Sequence, residues 1–280
     1  MTDLTASNLF SVKGKVALVT GGGTGIGYMI AKALVCNGAN VYIVSRKIKV
    51  LEKAASSLNE LGPGKCTALQ ANLKSKAACE QVALELGARE DKLHILVNNS
   101  GVGWAAKLEN IPESSWDHVN KVNLYAVYYL TMACLPLLVK ANQGPKDPAR
   151  VLIIGSIGGL LTEDFNRLAK PPANTMSTLS YAVSKAAVHH LATTLATHLT
   201  PRGVNVNVIA PGTFPTKITE SRDDKLVNES TPIGRIGLES DMAGAVLYLS
   251  SPAGAFVTGA VLVSDGGTML SSVNKVLAKI

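Results

Sequence analysis

Tyr181 and Lys185 are four positions apart in the segment YAVSK, residues 181–185. If this segment is helical, the two side chains lie on one face with their Cβ atoms about 5 to 6 Å apart. A phenol has an ordinary pKa of about 10 and is a slow base near neutral pH unless a neighbouring cation favours the phenolate. The spacing therefore indicates a tyrosine that could give up its proton beside a lysine. The alternative is a packing residue whose hydroxyl points into water.

Two further polar residues occupy positions from which they could act on a bound molecule. Ser156 comes directly after the apolar run RVLIIG, and Asn123 lies within the segment ESSWDHVNKVNLYAVYYL. Taken singly, Ser156 could simply end a strand, and Asn123 could be an ordinary polar residue on a helix. The choice between these interpretations depends on the elements that position both residues.

Short β-branched runs alternate with longer amphipathic stretches along the chain. Nearly continuous apolar runs that are separated by helices predict a parallel sheet covered on both faces. The predicted strands are residues 15–20, 40–46, 65–71, 92–100, 150–156, 204–212 and 260–267. The predicted helices are residues 25–37, 46–61, 75–90, 113–141, 179–200 and 240–251, with Ser240 and Asp241 capping the last of them.

This order of elements predicts an α/β fold with a Rossmann-type, doubly wound, parallel seven-stranded sheet. No linker, repeat or low-complexity tract is apparent, so residues 1–280 are expected to form a single domain. A chain of this length can bury about 75% of its unfolded surface, so it needs no disulfide or metal for stability. In such a sheet, ligands bind at the carboxyl ends of the strands.

A glycine-rich turn, TGGGTGIG from Thr20 to Gly27, joins the first predicted strand to a helix. Such a turn lets the backbone approach a pyrophosphate, whose charge then lies at a helix N-terminus. Because a strand precedes the turn and a helix follows it, we expect a dinucleotide site rather than a merely tight turn. The predicted contacts are Gly21, Gly23, Thr24, Gly25, Ile26 and Gly27.

The end of the second predicted strand indicates which dinucleotide binds. An acidic side chain there would hold the adenosine ribose hydroxyls, whereas this chain has Ser45, Arg46 and Lys47. Two cations favour a 2′-phosphate, which arginine can grip with a forked set of donors. We therefore expect NADPH or NADP, with NADH less favoured. The alternative is a solvated pair of charges that begins the next helix.

Composition argues against several other classes of protein. Of the residues, 47% are hydrophobic and 17% are charged, as in a folded protein, and no run of about 18 apolar residues predicts a membrane span. The net charge of +7 is scattered and aromatic residues are few, which argues against nucleic-acid binding. No histidine has zinc-ligand spacing, so no metal site is predicted. The separated cysteines Cys36, Cys66, Cys79 and Cys134 are expected to be reduced thiols in the core.

Taken together, these motifs resemble those of the short-chain dehydrogenase/reductase family. The glycine loop has the family form T-G-x-x-x-G-x-G and is followed in order by NNSG (98–101), Asn123, GSIGG (155–159), YAVSK and PG (211–212). The resemblance extends from about Lys15 to Gly267. Segments 103–123 and 205–219 are similar to 3-oxoacyl-thioester reductases, including the branch linked to rhamnolipid synthesis, and fungal polyketide and alkaloid reductases share the same framework.

The resemblance implies a role for each polar residue. Tyr181 is expected to be the general acid or base, and Lys185 to lower the pKa of the phenol and hold the nicotinamide ribose. Ser156 is expected to donate to the substrate oxygen, and Asn123 to organise a water in a proton relay. These residue types suit the chemistry, because a hydride that reaches a carbonyl carbon generates an oxyanion that needs a donor and an acid.

The resemblance also implies further cofactor contacts. Asn72 and Leu73 should flank the adenine, with Asn72 standing where many relatives have aspartate, and Asn99 should lie near the ribose. The segment PGTFPT (211–216) should close over the nicotinamide, and Thr216 should contact its amide or phosphate. The remaining predicted cofactor contacts are Gly101, Tyr181, Lys185, Pro211, Gly212 and Phe214.

Two segments depart from the family pattern. Ser156 and Tyr181 are 25 positions apart, about twice the family spacing, so residues 160–178 are expected to be an inserted loop that shapes the substrate pocket. The alternative is a surface excursion without effect on substrate. The tail 268–280 ends in Ala-Lys-Ile, which is similar to the peroxisomal S-K-L address. We therefore expect a cytoplasmic protein, or a peroxisomal one if the tail is such an address, and the tail could instead be a helix that packs on the body or on a neighbouring subunit.

The resemblance implies an NADPH-dependent reductase that converts a ketone into a secondary alcohol. The substrate would be a 3-oxoacyl thioester or a natural-product ketone, and the protein would form a homodimer or homotetramer without nucleic-acid or membrane partners. One alternative is a cofactor-binding scaffold without turnover. Another is a non-redox reaction on the same fold, such as a dehydration, an isomerisation or a cyclisation.

Overall fold

The computed structural model describes residues 4–162, 170, 176–217, 219–220 and 224–270. Its centre is one parallel sheet of seven strands in the order β3-β2-β1-β4-β5-β6-β7. The strands are β1 Val16–Thr20, β2 Asn40–Ser45, β3 Lys65–Gln70, β4 Ile95–Asn98, β5 Ala149–Ile154, β6 Val204–Pro211 and β7 Val261–Ser264. The strand order reverses between β1 and β4, which creates a crevice at their carboxyl ends.

Helices cover both faces of the sheet. In chain order, the α-helices of the described residues are α1 Ala6–Leu9, α2 Gly25–Cys36, α3 Ile48–Asn59, α4 Lys76–Gly87, α5 Glu113–Asn120, α6 Ala126–Ala141, α7 Leu179–Leu199, α8 Asp224–Ser230 and α9 Glu239–Ser250. Buried side chains of α4, α6 and α7 form one apolar cluster against the sheet, and those of α2, α3 and α9 form another. The prediction of a doubly wound parallel sheet of seven strands is confirmed.

Each strand is shorter than predicted, five of them by one residue, whereas β4 and β7 lose five and four residues because the chain beyond their ends makes other contacts or turns. Beyond β4, the backbone amides of Asn99 and Ser100 both donate to Thr20 Oγ1 at 2.8 Å instead of continuing the ladder. Beyond β7, Gly266 and Gly267 adopt positive φ angles of 62° and 85°, which turn the chain away from the sheet.

The long helix predicted at 113–141 is continuous but not uniform. A π-helical turn, Lys121–Tyr125, lies between α5 and α6. By length and composition alone, the rod Glu113–Ala141 could cross a membrane, and 44% of its most apolar window is buried in the protein. A helix that packs in a protein core can be as long and as apolar as a membrane-spanning one. The packing of this helix on α4 and β5 therefore accounts for its apolar composition.

Local capping and thiol burial differ in part from the predictions. Helix α9 begins at Glu239, one residue early, so Ser240 lies inside its first turn, while the Asp241 carboxylate accepts the Leu238 N–H at 2.7 Å. Three cysteines are buried as expected, and burial raises the pKa of Cys66 and of Cys134 to about 12. The prediction was wrong for Cys36, which is exposed at the end of α2.

Candidate active site

A cavity of about 1140 Å³ opens at the carboxyl ends of the strands. The ends of six strands, β1 to β6, contribute residues to its wall, as the fold predicts for a ligand site. The predicted site residues on this wall are Gly21, Thr24, Gly25, Ile26, Gly27, Ser45, Arg46, Asn72, Leu73, Asn99, Gly101, Ser156, Tyr181, Lys185, Pro211, Gly212, Phe214 and Thr216. Three predicted residues, Gly23, Lys47 and Asn123, are not part of the wall.

The glycine loop brings bare backbone to the cavity. Gly21 and Gly25 have φ angles of +66° and +56°, a region that side-chain-bearing residues rarely adopt. A Cβ at Gly27 would overlap the Gly21 carbonyl oxygen and the Asn99 amide, so only glycine allows this packing. Helix α2 begins at Gly25, and its unpaired N–H groups and dipole favour an anion there. The loop therefore has the form that a bound pyrophosphate requires.

Thr20 joins the two strands that flank the crevice. Its Oγ1 accepts the Asn99 and Ser100 amides, and Asn99 Nδ2 donates to the Thr20 carbonyl oxygen at 2.7 Å. These bonds hold the start of NNSG against the glycine loop. Asn99 thus lies on the cavity wall, where the family resemblance places a contact to ribose.

The three residues at the end of β2 that were predicted to select the phosphate lie in different surroundings. Ser45 and Arg46 line the cavity, and the Arg46 carbonyl oxygen accepts a bond from Gln70 Nε2 at 3.0 Å. Lys47 instead occupies the N-cap position of α3. Gly23 faces α3 as well, because a Cβ there would lie 3.2 Å from a Leu51 methyl. Of the two cations considered, Arg46 is therefore the one placed to hold a phosphate.

The chain after β6 lies over the glycine loop. A Cβ added to Gly25 would be 3.2 Å from Thr216 Cγ2. Phe214 is buried, and Thr219 Oγ1 fixes the loop by donating to the Phe214 carbonyl oxygen at 2.7 Å. This arrangement agrees with a segment that closes over a bound nucleotide.

Helix α7 presents Tyr181 and Lys185 to the cavity. Lys185 Nζ lies 5.6 Å from the centre of the Tyr181 ring and donates to the Ile154 carbonyl oxygen at 2.7 Å. The lysine is only 4% exposed, and this burial lowers its pKa to about 8. An ammonium at this distance favours the ionised form of the phenol, because an opposite charge within about 4 to 6 Å stabilises a phenolate.

Asn123 lies in the π-helical turn, behind the cavity wall. Its side chain makes a reciprocal pair of bonds with Val102, donating to the carbonyl oxygen at 3.0 Å and accepting from the amide at 2.9 Å. Asn123 Nδ2 also bonds to Ser184 Oγ at 3.0 Å, which ties the turn to α7. A Cβ at Gly101 would be 3.6 Å from both Asn123 Oδ1 and Lys185 Nζ. Turns of this kind are frequent at functional sites, and this one fixes the loop after β4.

Ser156 is held from two sides at the end of β5. Its Oγ accepts the Gly158 amide at 3.0 Å, which leaves the hydroxyl proton to be donated elsewhere. Its own amide donates to His189 Nε2 at 3.3 Å. His189 was not among the predicted site residues, and Gly155, which precedes Ser156, was the one sequence signal of a close approach at this point.

The cavity wall is more apolar than polar, and it includes parts of the predicted insertion. Leu161, Thr162, Ser177 and Thr178 from residues 160–178 line it, while 163–169 and 171–175 lie outside the described residues. Ser177 forms an antiparallel bridge with Ala106.

The cavity wall also includes residues that were not predicted from the sequence, among them Val102, Trp104, Ala105, His118, Leu179 and Val183. No motif distinguishes these residues, because they meet only when the loops are folded.

Within the described part of the chain, no group of three or more histidine, cysteine or acidic side chains could hold a metal ion. The phenol of Tyr181, the ammonium of Lys185 and the hydroxyl of Ser156 share the cavity wall with the glycine loop. This arrangement has the form of a nucleotide site beside side chains of types that can transfer or stabilise a proton.

Residues 21–269 match the family described as Enoyl-(Acyl carrier protein) reductase. The chain is 39% identical to the rhamnolipids biosynthesis 3-oxoacyl-[acyl-carrier-protein] reductase of Pseudomonas aeruginosa, covering 92% of this chain and 97% of that protein. It is 33% identical to the short-chain dehydrogenase/reductase PhomF of Diaporthe leptostromiformis, covering 95% of each. The chain therefore belongs to the short-chain dehydrogenase/reductase family of oxidoreductases. The predictions of the family and of an enzyme are confirmed.

Solved structures of relatives share the whole fold. The Pseudomonas aeruginosa RhlG/NADP active-site complex superposes with a TM-score of 0.85 at 38% identity, covering 93% of this chain and 98% of that one. A putative 2-deoxy-d-gluconate 3-dehydrogenase from Agrobacterium tumefaciens with bound NADP gives a TM-score of 0.79 at 31% identity, covering 94% and 99%.

Proposed function

We propose that this protein reduces a ketone to a secondary alcohol with NADPH. The observation that supports this most directly is one continuous cavity whose wall includes the glycine loop, Arg46, Ser156, Tyr181 and Lys185. A nucleotide held by the glycine loop and Arg46 would lie beside the side chains of Ser156, Tyr181 and Lys185. The NADP complexes of two similar proteins agree with the choice of cofactor.

Bound NADPH would supply a hydride to the carbonyl carbon of the ketone. The protein's own groups then stabilise and protonate the negative charge that develops on the carbonyl oxygen. The Ser156 hydroxyl donates to that oxygen and orients it, and Tyr181 delivers the proton that completes the alcohol. The Lys185 ammonium stabilises the phenolate that remains on Tyr181. Asn123 holds the loop after β4 in a fixed position relative to α7.

Five parts of the cavity would hold the cofactor. The glycine loop and the N-terminus of α2 would receive the pyrophosphate, Arg46 the 2′-phosphate, and Asn72 and Leu73 the adenine. Lys185 and Asn99 would contact the riboses, and the segment from Pro211 to Thr216 would cover the nicotinamide.

Apolar side chains on the cavity wall support a substrate with a largely hydrocarbon body. The wall includes Trp104, Leu161, Leu179 and Val183, and the insertion contributes Thr162 and Ser177. A 3-oxoacyl thioester or a natural-product ketone meets this description. Relatives with names of both kinds are consistent with that range.

Assembly and location belong to the proposal as well. A homodimer or homotetramer would cover exposed apolar side chains. Tyr125, Tyr128 and Val139 lie along the long helix formed by α5, the π-helical turn and α6, and Phe256 lies shortly before β7. We propose a cytoplasmic protein, with a peroxisomal one as the alternative. The Ala-Lys-Ile ending falls within residues 271–280, which lie outside the described residues.

Arg46→Ala should separate NADPH from NADH. Hydrogen bonds to charged groups contribute about 1.5 to 3 kcal/mol, so the Kd of NADPH should rise about 10- to 100-fold, and the Kd of NADH by less than about threefold. Both constants can be measured from nucleotide fluorescence. Lys47→Ala is the matched control, since Lys47 is not on the cavity wall, and we expect it to change the Kd of NADPH by less than about threefold. An equal effect of the two substitutions would contradict the assignment of the phosphate to Arg46.

A further inference from the structure

Helix α7 is joined to the end of β5 by two side-chain bonds, one of which has no role in the mechanism above. Lys185 Nζ donates to the Ile154 carbonyl oxygen at 2.7 Å, and one turn later His189 Nε2 accepts the Ser156 amide at 3.3 Å. The helix that presents Tyr181 thus contacts both ends of the tripeptide Ile154-Gly155-Ser156. The relative position of the phenol and the serine hydroxyl depends on these two contacts.

The approach of His189 to the strand end is close and specific. His189 is 5% exposed, and a Cβ at Gly155 would overlap its Nε2 atom. Gly155 is therefore the residue that admits the imidazole to the Ser156 amide. An aliphatic side chain at position 189 could fill the space but could not accept a hydrogen bond.

The direction of the bond fixes the protonation state of the ring. Nε2 can accept from an amide only when it has no proton, so we expect the hydrogen of the neutral imidazole on Nδ1, a buried atom that has no hydrogen-bond partner among the described residues. Burial, together with the charge of Lys185, lowers the pKa of His189 to about 4, so the ring is neutral near pH 7. The acceptor is thus available throughout the neutral range.

Ser156 has an extended backbone, with φ of −169° and ψ of 148°, and begins the short 3-10 helix Ile157–Gly159. Its Oγ is bonded to the Gly158 amide, so the hydroxyl direction follows the orientation of the backbone. We propose that His189 is a positioning residue that holds the Ser156 backbone, and so aims the Ser156 hydroxyl at the substrate oxygen. This inference rests on the reductase function proposed above.

Two variants test the role in catalysis. His189→Leu fills the same space without an acceptor, and we expect kcat to fall about 10- to 100-fold while the Kd of NADPH changes less than threefold, because a small misplacement of a catalytic group has effects of this size. His189→Gln offers an amide oxygen at a similar reach and should return kcat to within about fivefold of the wild type. Equal losses in both variants, or none in His189→Leu, would overturn the proposal. Thermal melting and NADPH fluorescence verify that each variant is folded.

A double substitution distinguishes positioning from general stabilisation. In a Ser156→Ala protein there is no hydroxyl left to aim, so adding His189→Leu should lower kcat by less than about twofold more. A further loss as large as in the wild-type background would mean that His189 acts through another residue.

An independent readout does not require turnover. In protein with ¹⁵N-labelled histidine, we expect the His189 ring at pH 7 to be neutral with its proton on Nδ1, assigned by the signals missing from His189→Gln. A proton on Nε2 would overturn the proposal, since that atom could not accept from Ser156. If the wild type reduces no ketone but shows the Nδ1 tautomer, the proposed function fails while the bond to Ser156 stands.

Discussion

Tyr181→Phe should lower kcat for ketone reduction about 10²- to 10⁴-fold, which is the range that one general acid contributes. The substitution removes the phenolic proton and keeps the ring that stands 5.6 Å from Lys185 Nζ. Because the glycine loop and Arg46 are untouched, the Kd of NADPH should stay within about threefold of the wild type. NADPH oxidation gives the first quantity and nucleotide fluorescence the second.

Tyr28→Phe is a matched control for this experiment. Tyr28 lies on α2 and is not on the cavity wall, so removal of its hydroxyl should leave kcat within about twofold of the wild-type value. If Tyr181→Phe retained more than about a tenth of the wild-type kcat, another group would have to deliver the proton, and the proposed mechanism would be wrong.

Lys185→Met should have an effect of similar size by a different route. Methionine keeps the length of the side chain but removes the buried charge that lies beside the phenol. Loss of one preorganised electrostatic group in such a site costs about 10²- to 10³-fold in kcat. The Kd of NADPH should also rise, because Lys185 is proposed to contact the nicotinamide ribose. This combined change in binding and rate distinguishes Lys185→Met from Tyr181→Phe, and steady-state kinetics with fluorescence titration measures both.

Lys32→Met is the corresponding control for removal of a positive charge. Lys32 lies on α2 and forms an ion pair with Glu239 at 2.8 Å, away from the cavity wall. We expect kcat and the Kd of NADPH to change less than twofold. A Lys185→Met enzyme with wild-type rate and affinity would show that the buried ammonium has no part in the reaction.

The sequence predicted the architecture because local patterns and topology agree along this chain. Apolar runs such as RVLIIG and VNVNVIA can be buried only inside a sheet with helices on both faces, and each has a helix on either side. Strand ends were less predictable. The last residues predicted for β4 bond to Thr20, a contact between residues 79 and 80 positions apart that no local pattern reveals. Helix α8 was missed because seven residues are too few for a recognisable period.

The site was predictable where a residue type is tied to a fixed point of the fold. The glycine loop and the Tyr181–Lys185 pair follow from one turn and one helical spacing. By contrast, Lys47 and Gly23 were expected to contact the cofactor but lie toward α3. The contact between His189 and Ser156 depends on how α7 packs on β5 across Gly155, which spacing alone does not give.

Transfer of deuterium from NADPH is the most direct test of the proposed reaction. NADPH labelled with deuterium at both C4 positions would be incubated with a panel of ketones that includes 3-oxoacyl thioesters, and the products analysed by mass spectrometry. We predict an alcohol with one deuterium on the carbinol carbon, formed by the wild type and lost in Tyr181→Phe. Tight binding of NADPH without transfer to any ketone would contradict the account, and would favour a cofactor-binding scaffold or a non-redox reaction on this fold.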